Sequence, residues 1–486
     1  MKKYFQLKNL FLIVFTVTLA SCSKTEDIPQ DIEINDFVWG GMNAYYKWQG
    51  IIPDLSDNRF STREQLNSYL SGTGTPDELF NSLLSYPNEF PKDPNRVFSW
   101  ITSDYIALEN SFQGIRLTSG LKLVAIPYAD NSGNAYVVVR DVVTGSDADI
   151  KGITRGMIIS EVNGTQITTG NVSQLFEPNN FTVSLADYNG GNPTTNGTII
   201  NIVKSEVTEN PIKVATIINE GANRIGYLMY NQFASDFDDE LNQAFANFQT
   251  GGITDLVLDL RYNGGGSVAS AVYLSSMITG QFNGEVFANK IWNEKVMANF
   301  SADNFIDRFT DRIVKKDSNG NTILDETINS LNLSTVYIIV SEQTASASEL
   351  IINCLRPYID VKLVGTETVG KQVASITLYD SDDYTRNGPN FNASHTWAMQ
   401  PIVLEIQNRD GQNEPNGFTA EVQIAEDNSN LGVLGDPTEP LLERTIQYIT
   451  TGARGTNFSF TSEVEKPIWN SNMKNLDYNN MYIQFK

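Results

Sequence analysis

The sequence predicts a multidomain α/β protein: a core on a largely parallel sheet, preceded by a β-rich domain and, first, a helical domain. Three observations carry that prediction. From about residue 209 to 455, apolar strand-like runs alternate with helical ones, the pattern that builds crossover units. Residues 112–208 show short strands between glycine and Asp/Asn turns, whereas residues 34–111 carry aromatics at helical spacing. The 486 residues suit about three domains of about 100–200 residues each. With 41% hydrophobic and 19% charged residues, they can fill folded cores. A net charge of −23 without basic stretches argues against a nucleic-acid partner.

At the N-terminus, Lys2, Lys3 and Lys8 precede the apolar run "NLFLIVFTVTLA", which is short for a membrane span and suits a secretory leader. The run ends in Leu19-Ala20-Ser21-Cys22, which resembles the bacterial lipobox. That resemblance implies a leader over 1–21, lipid on Cys22, and a membrane-anchored protein of the bacterial envelope facing the periplasm or the cell exterior. Residues 22–33 are polar and acidic and read as the tether. Cys354 is the only other cysteine, so the mature chain can form no internal disulfide; on "LIINCL" it reads as a buried thiol.

In residues 34–111, Phe37, Val38, Met42, Tyr45 and Tyr46 recur at three- to four-residue spacing until Gly50 and Pro53 stop the helix. "TPDELFNSLL" supplies a second helix, and the segment reads as a bundle with its aromatics inside. Next, "GSDADIKGITRGMIISEVNGTQI" resembles part of a PDZ domain, with Gly156-Met157 where members commonly carry Gly-Asp. PDZ folds bind extended peptides by strand addition, with loop N–H groups capturing the terminal carboxylate. The resemblance makes Gly114, Ile115, Arg116 and Leu117 of "FQGIRL" the candidate peptide-binding loop and edge strand; the bland alternative is a spacer without a ligand.

In the core, "RIGYLMYNQF", "TDLVLDLRYNGGG", "STVYIIVSEQ" and "DVKLVGTETVGK" read as strands with their loops. "DFDDELNQAFANFQTGG", "SVASAVYLSSMITG" and "TASASELIINCL" read as the helices between them. Residues 286–330 read as an insertion, and residues 456–486 as a tail without an assigned role.

Ser346 opens the last of those helices. Ser346-Ala347-Ser348-Glu349 fits a capping box, which by itself is a structural device. Its place after a parallel strand, however, is the carboxyl edge of the sheet, where α/β folds bind ligands. There the first-turn amide of Ala347 can stabilise a developing oxyanion. Gly264, Gly265 and Gly266 let further backbone N–H groups approach a ligand, and no Gly-Lys-Ser/Thr follows to make a phosphate loop. The third strand should bring Gly370-Lys371 beside Ser346. A lysine serves as base there only if burial lowers its pKa from about 10.4 to roughly 7–8.

"DLRYNGGG", "TASASEL" and "VGK", in this order and with 25 positions between Ser346 and Lys371, resemble the C-terminal processing peptidases, or tail-specific proteases. The resemblance implies Ser346 as nucleophile, Lys371 as general base, and Ala347 with Gly265 or Gly264 as oxyanion donors. It also implies protein or peptide substrates recognised by their C-terminal tails. Many members follow the lysine with Gly-Thr-Val-Gln, and that glutamine orients the lysine. Here Ser375 stands at the glutamine position, so it becomes the candidate orienting residue. The usual Pro-Asp after a late glycine is also replaced, in Gly417-Phe418-Thr419-Ala420-Glu421. His395 is the only histidine, and no G-x-S-x-G elbow accompanies Ser346 to support a Ser-His pair. One histidine, one thiol and scattered carboxylates make no metal-ligand cluster, so neither metal nor cofactor is expected. The rival reading is a non-catalytic peptide-binding scaffold lipoprotein on the same fold.

Overall fold

The computed structural model describes residues 28–317, 320–455, 466–475 and 478–483. The leader over 1–21 and the lipidation site Cys22 lie outside the described residues.

The chain starts with the helices Glu33–Tyr45, Arg63–Ser71 and Pro76–Ser82. Thr62 caps the second by accepting from Gln65 N–H, and Thr75 with Glu78 forms a complete capping box on the third. Their apolar stripes (Phe37, Val38, Met42, Leu66, Leu70, Leu79 and Phe80) are buried in one cluster with core residues such as Leu258, Val340 and Leu350. The helices therefore share the core's hydrophobic centre.

The β-rich region is an antiparallel sheet in which Leu121–Pro127, Ala135–Val142, Ile158–Val162, Asn180–Asp187 and Thr194–Val203 follow one another. It has its own core of Val137, Val139, Ile159, Phe181 and Val183. Its helices, Asp147–Ile150 and Val172–Leu175, are single turns.

The core carries two six-stranded sheets. In the first, Asn223–Tyr230, Asp255–Asp259, Thr335–Val340, Asp360–Gly365 and Val422–Gln423 pair in parallel, and Ile212–Glu220 adds an antiparallel edge. Helices Asp238–Gly251, Val268–Thr279 and Ala347–Leu355 make its crossovers. The second sheet is mixed and runs Gly266–Ser267, Met481–Tyr482, Val373–Ser375, Ile402–Asn408, Val286–Trp292 and Ile306–Arg308. A largely parallel sheet thus describes only half of the core. The expected insertion at 286–330 is also narrower than the sequence indicated. Val286–Trp292 is a strand of the second sheet, and the separate piece is the hairpin of Arg312–Lys316 with Thr322–Thr327.

Candidate active site

The strand Thr335–Val340 delivers the chain to the carboxyl edge of the first sheet. A tight turn follows, with Ser341 N–H donating to Thr344 Oγ1 at 2.8 Å and Thr344 Oγ1 donating to Leu260 O at 2.9 Å. Ser346 then adopts φ +66° and ψ −119°, a left-handed conformation that costs a non-glycine residue about 1–3 kcal/mol. The strain persists because neighbours fix it on both sides. Ser346 N–H donates to Glu349 Oε2 at 2.9 Å, and Ala345 N–H donates to Asn263 O at 3.2 Å. Ser346 Oγ, fully buried, has no hydrogen-bond partner among the described residues.

Glu349 does more than cap its helix. Its Oε1 accepts from Thr368 Oγ1 and Gly370 N–H, and its Oε2 accepts from Lys371 N–H at 2.8 Å as well as from Ser346 N–H. One carboxylate oxygen therefore holds the backbones of Ser346 and Lys371 together. Burial pushes the Glu349 carboxyl up to about 6 against the pull of these four donors.

Lys371 is 1% exposed. Its Nζ donates to Asn479 O at 2.7 Å and sits 4.8 Å from the Phe98 ring centroid. Burial lowers its amine to about 7, although Glu89 and Glu349 favour the charged form. Glu89 is itself fixed by donors from Tyr46 Oη, Phe98 N–H, Ser99 N–H and Ser99 Oγ. The N-terminal helical region thus builds one wall of the lysine's niche, a contribution that the sequence did not announce.

The glycine loop meets the serine closely. A Cβ on Gly265, whose φ is +112°, would stand 2.5 Å from Ser346 Cβ, so only glycine permits this approach. The two glycines offered as oxyanion donors differ, however: Gly265 N–H is already engaged, donating to Asn263 Oδ1 at 2.8 Å. Ala347 N–H opens a helix and so lacks an acceptor within it. Asn263 also donates from Nδ2 to Tyr230 O and accepts from Ser348 Oγ, tying the glycine loop to the serine turn. "RYNGGG" holds this asparagine in plain view, but its role shows only in three dimensions.

Ser375 is buried, and its Oγ lies within hydrogen-bond distance of Gln400 Oε1, Asn480 Oδ1 and Met481 O. The hydrogen bond that holds Lys371 Nζ goes to Asn479 O instead, so any orienting effect of Ser375 acts through the 479–481 backbone. His395 is committed elsewhere, with Nε2 3.0 Å from Asp380 Oδ2 and Nδ1 accepting from Trp397 N–H.

Of the PDZ-like residues, Gly114 precedes the strand Ile115–Thr118, which pairs along one edge with Ser205–Thr208. Arg116 donates to Gln232 Oε1 at 2.9 Å, so it faces the core. That strand belongs to a two-stranded sheet and is paired on this side only, whereas the edge of the larger sheet at Leu121–Pro127 is taken by Trp469–Asn470.

Next to the glycine loop, Arg261 is enclosed by Asp259, Glu426 and Glu439. Arg155, from the β-rich region, reaches the same cluster, donating to Glu426 and to Tyr262 Oη. Burial opposes the Glu426 charge, but Arg155, Arg140 and Arg261 outweigh it and hold the carboxyl well below the usual range.

With this geometry in hand, two family models match the chain: peptidase family S41 over residues 224–386, and the peptidase S41 N-terminal domain over residues 33–100. The resemblance to the tail-specific proteases therefore holds. Among curated relatives, it is 24% identical over 283 residues to a probable CtpA-like serine protease of Staphylococcus aureus strain N315, covering 57% of this chain and 49% of the relative. It is 27% identical over 271 residues to the chloroplastic C-terminal processing peptidase of Tetradesmus obliquus, covering 53% and 52%. The chain spans about half the length of these relatives. In fold, it is similar to the crystal structure of a putative S41 protease from Bacteroides fragilis NCTC 9343. That likeness has a TM-score of 0.65 at 24% identity, over 86% of this chain and 97% of the other.

Proposed function

We propose that this chain is a serine endopeptidase of Ser-Lys type, anchored by lipid on Cys22 in the bacterial envelope. Its substrates are proteins or peptides recognised by C-terminal tails through the PDZ-like region. One observation carries the reading: a strained, buried serine and a lysine lowered to about 7 have their backbones on a single carboxylate oxygen, Glu349 Oε2.

In this mechanism Ser346 Oγ attacks the scissile carbonyl carbon while its proton passes to neutral Lys371 Nζ. Ala347 N–H and Gly264 N–H stabilise the oxyanion. Collapse breaks the C–N bond, and the Lys371 ammonium returns the proton to the leaving amine. Water then hydrolyses the Ser346 ester by the same two proton transfers in turn.

The test uses soluble chain lacking residues 1–22 with an unfolded protein substrate. Cleavage is expected, with its loss in both Ser346→Ala and Lys371→Ala. Wild-type chain that binds C-terminal peptides without cutting any of them would overturn the reading in favour of the scaffold.

A further inference from the structure

Both reacting side chains are closed off, Ser346 at 0% and Lys371 at 1% exposure. No peptide reaches a hydroxyl so enclosed, so part of its cover must yield before the proposed reaction. Residues 478–483 lie on that spot. Asn480 O and Ser346 Oγ stand 2.8 and 2.7 Å from the same point, the position of a Cβ on Gly265. Asn479 O holds Lys371 Nζ, and Asn479 N lies 3.2 Å from the corresponding point on Gly264.

The segment then runs as a strand. Met481 and Tyr482 pair in parallel with Gly266 and Ser267, Tyr482 also pairs in parallel with Ser375, and Ile483 N–H donates to Ser375 O at 3.0 Å. Phe112 stacks on Tyr482 with ring centroids 4.1 Å apart. Upstream, Trp469 and Asn470 are fastened to the edge strand Leu121–Pro127, and Leu123 N–H donates to Ser471 Oγ at 2.9 Å. At the seam with the nucleophile, Ser346 Oγ and Asn479 Oδ1 are both buried without a hydrogen-bond partner among the described residues.

We propose that the slot between Gly266–Ser267 and Val373–Ser375 is the binding site for the scissile strand of a peptide substrate, and that the chain's own residues 478–483 hold it shut as a built-in pseudosubstrate. This rests on the peptidase reading and adds to it the site and its regulation. The occupant is held by backbone pairing on both sides and by its buried Met481 and Tyr482 side chains, so the slot fits an extended peptide with apolar side chains at those positions. Parallel pairing with both neighbours fixes the direction in which that peptide lies.

The test compares hydrolysis of an unfolded, fluorophore-labelled casein by the chain and by its Met481→Asp variant, which puts a charge into the slot. Loss of the buried Met481 contact should raise the rate about tenfold or more. A synthetic peptide of residues 478–483 should reverse the gain. Fluorophosphonate labelling of Ser346 separates the two claims. Labelling without a rate increase overturns the pseudosubstrate, whereas no labelling and no cleavage in either form overturns the peptidase reading beneath it. Since a charge at position 481 can also unfold the slot, hydrogen exchange on the Ser346→Ala chain gives a second readout. With excess of a casein peptide that the wild type cleaves, the Ile483 amide should exchange about tenfold faster; unchanged protection overturns the proposal.

Discussion

The carboxyl edge of the first sheet carries two buried polar regions that handle burial in opposite ways. Around Arg261 every charge meets an opposite one: Asp259, Glu426 and Glu439 surround it, and Arg155 closes the cluster from the β-rich region. In the Ser346–Lys371 niche the charges are left without close partners. Lys371 Nζ has a carbonyl and an aromatic ring, and Glu349 has N–H and O–H donors. The two carboxylates register the difference, since Glu426 lies well below the usual range while Glu349 rises to about 6. Burial is common to both regions; the nature of the partner sets the sign. Matched charges hold a scaffold together, whereas an unmatched lysine keeps its amine largely uncharged above pH 7 at the expense of stability.

The largest expected effect is on chemistry. Ser346→Ala or Lys371→Ala should each reduce cleavage about 10⁴-fold or more, measured on unfolded protein substrate. The double variant should lose little beyond either single one, because the two residues act as a unit.

On stability the two regions should respond with opposite signs. Arg261→Met leaves three buried carboxylates short of a partner and should lower the unfolding free energy by about 3–5 kcal/mol in urea titrations. Lys371→Met should instead raise it by roughly 2–5 kcal/mol at pH 7, because the folded amine titrates near 7 rather than at 10.5. The sign follows from proton binding. Between about 7 and 10.5 the unfolded chain holds a proton on Lys371 that the folded chain does not, so this group makes the wild type more stable as pH rises through that window. Lys371→Met should remove that slope. An unchanged slope would break the contrast between the regions.

Glu349→Gln keeps the shape but presents an amide to donors on both sides. It should cut kcat about 10- to 100-fold with a smaller change in KM, because Ser346 and Lys371 lose their common anchor. The smallest effect is at His395. His395→Ala should leave cleavage within about twofold, since both ring nitrogens are used away from Ser346.

The sequence made legible what is local. Ser346, Ala347 and Glu349 share one helical turn, Gly264 to Gly266 follow one strand, and Lys371 closes the next loop. The parallel sheet was equally readable, because buried strands and crossover helices alternate along the chain. What assembles from distant segments was not readable. Glu89 and Phe98 line the lysine's niche from more than 270 positions upstream, and Asn479 approaches it from 108 positions downstream. The second core sheet brings together strands as far apart as Gly266–Ser267 and Met481–Tyr482, and two-residue strands carry no period to read. Nothing local indicates that Arg116, on its edge strand, contacts Gln232.

The most direct test of the central claim is the pH dependence of Ser346 acylation by a fluorophosphonate between pH 5 and 10. With Lys371 as the base, the rate should rise through an ionisation near pH 7, and Lys371→Met should abolish that step. A rate that shows no inflection below the ordinary lysine value of 10.5, or a step near pH 7 that survives Lys371→Met, would contradict it.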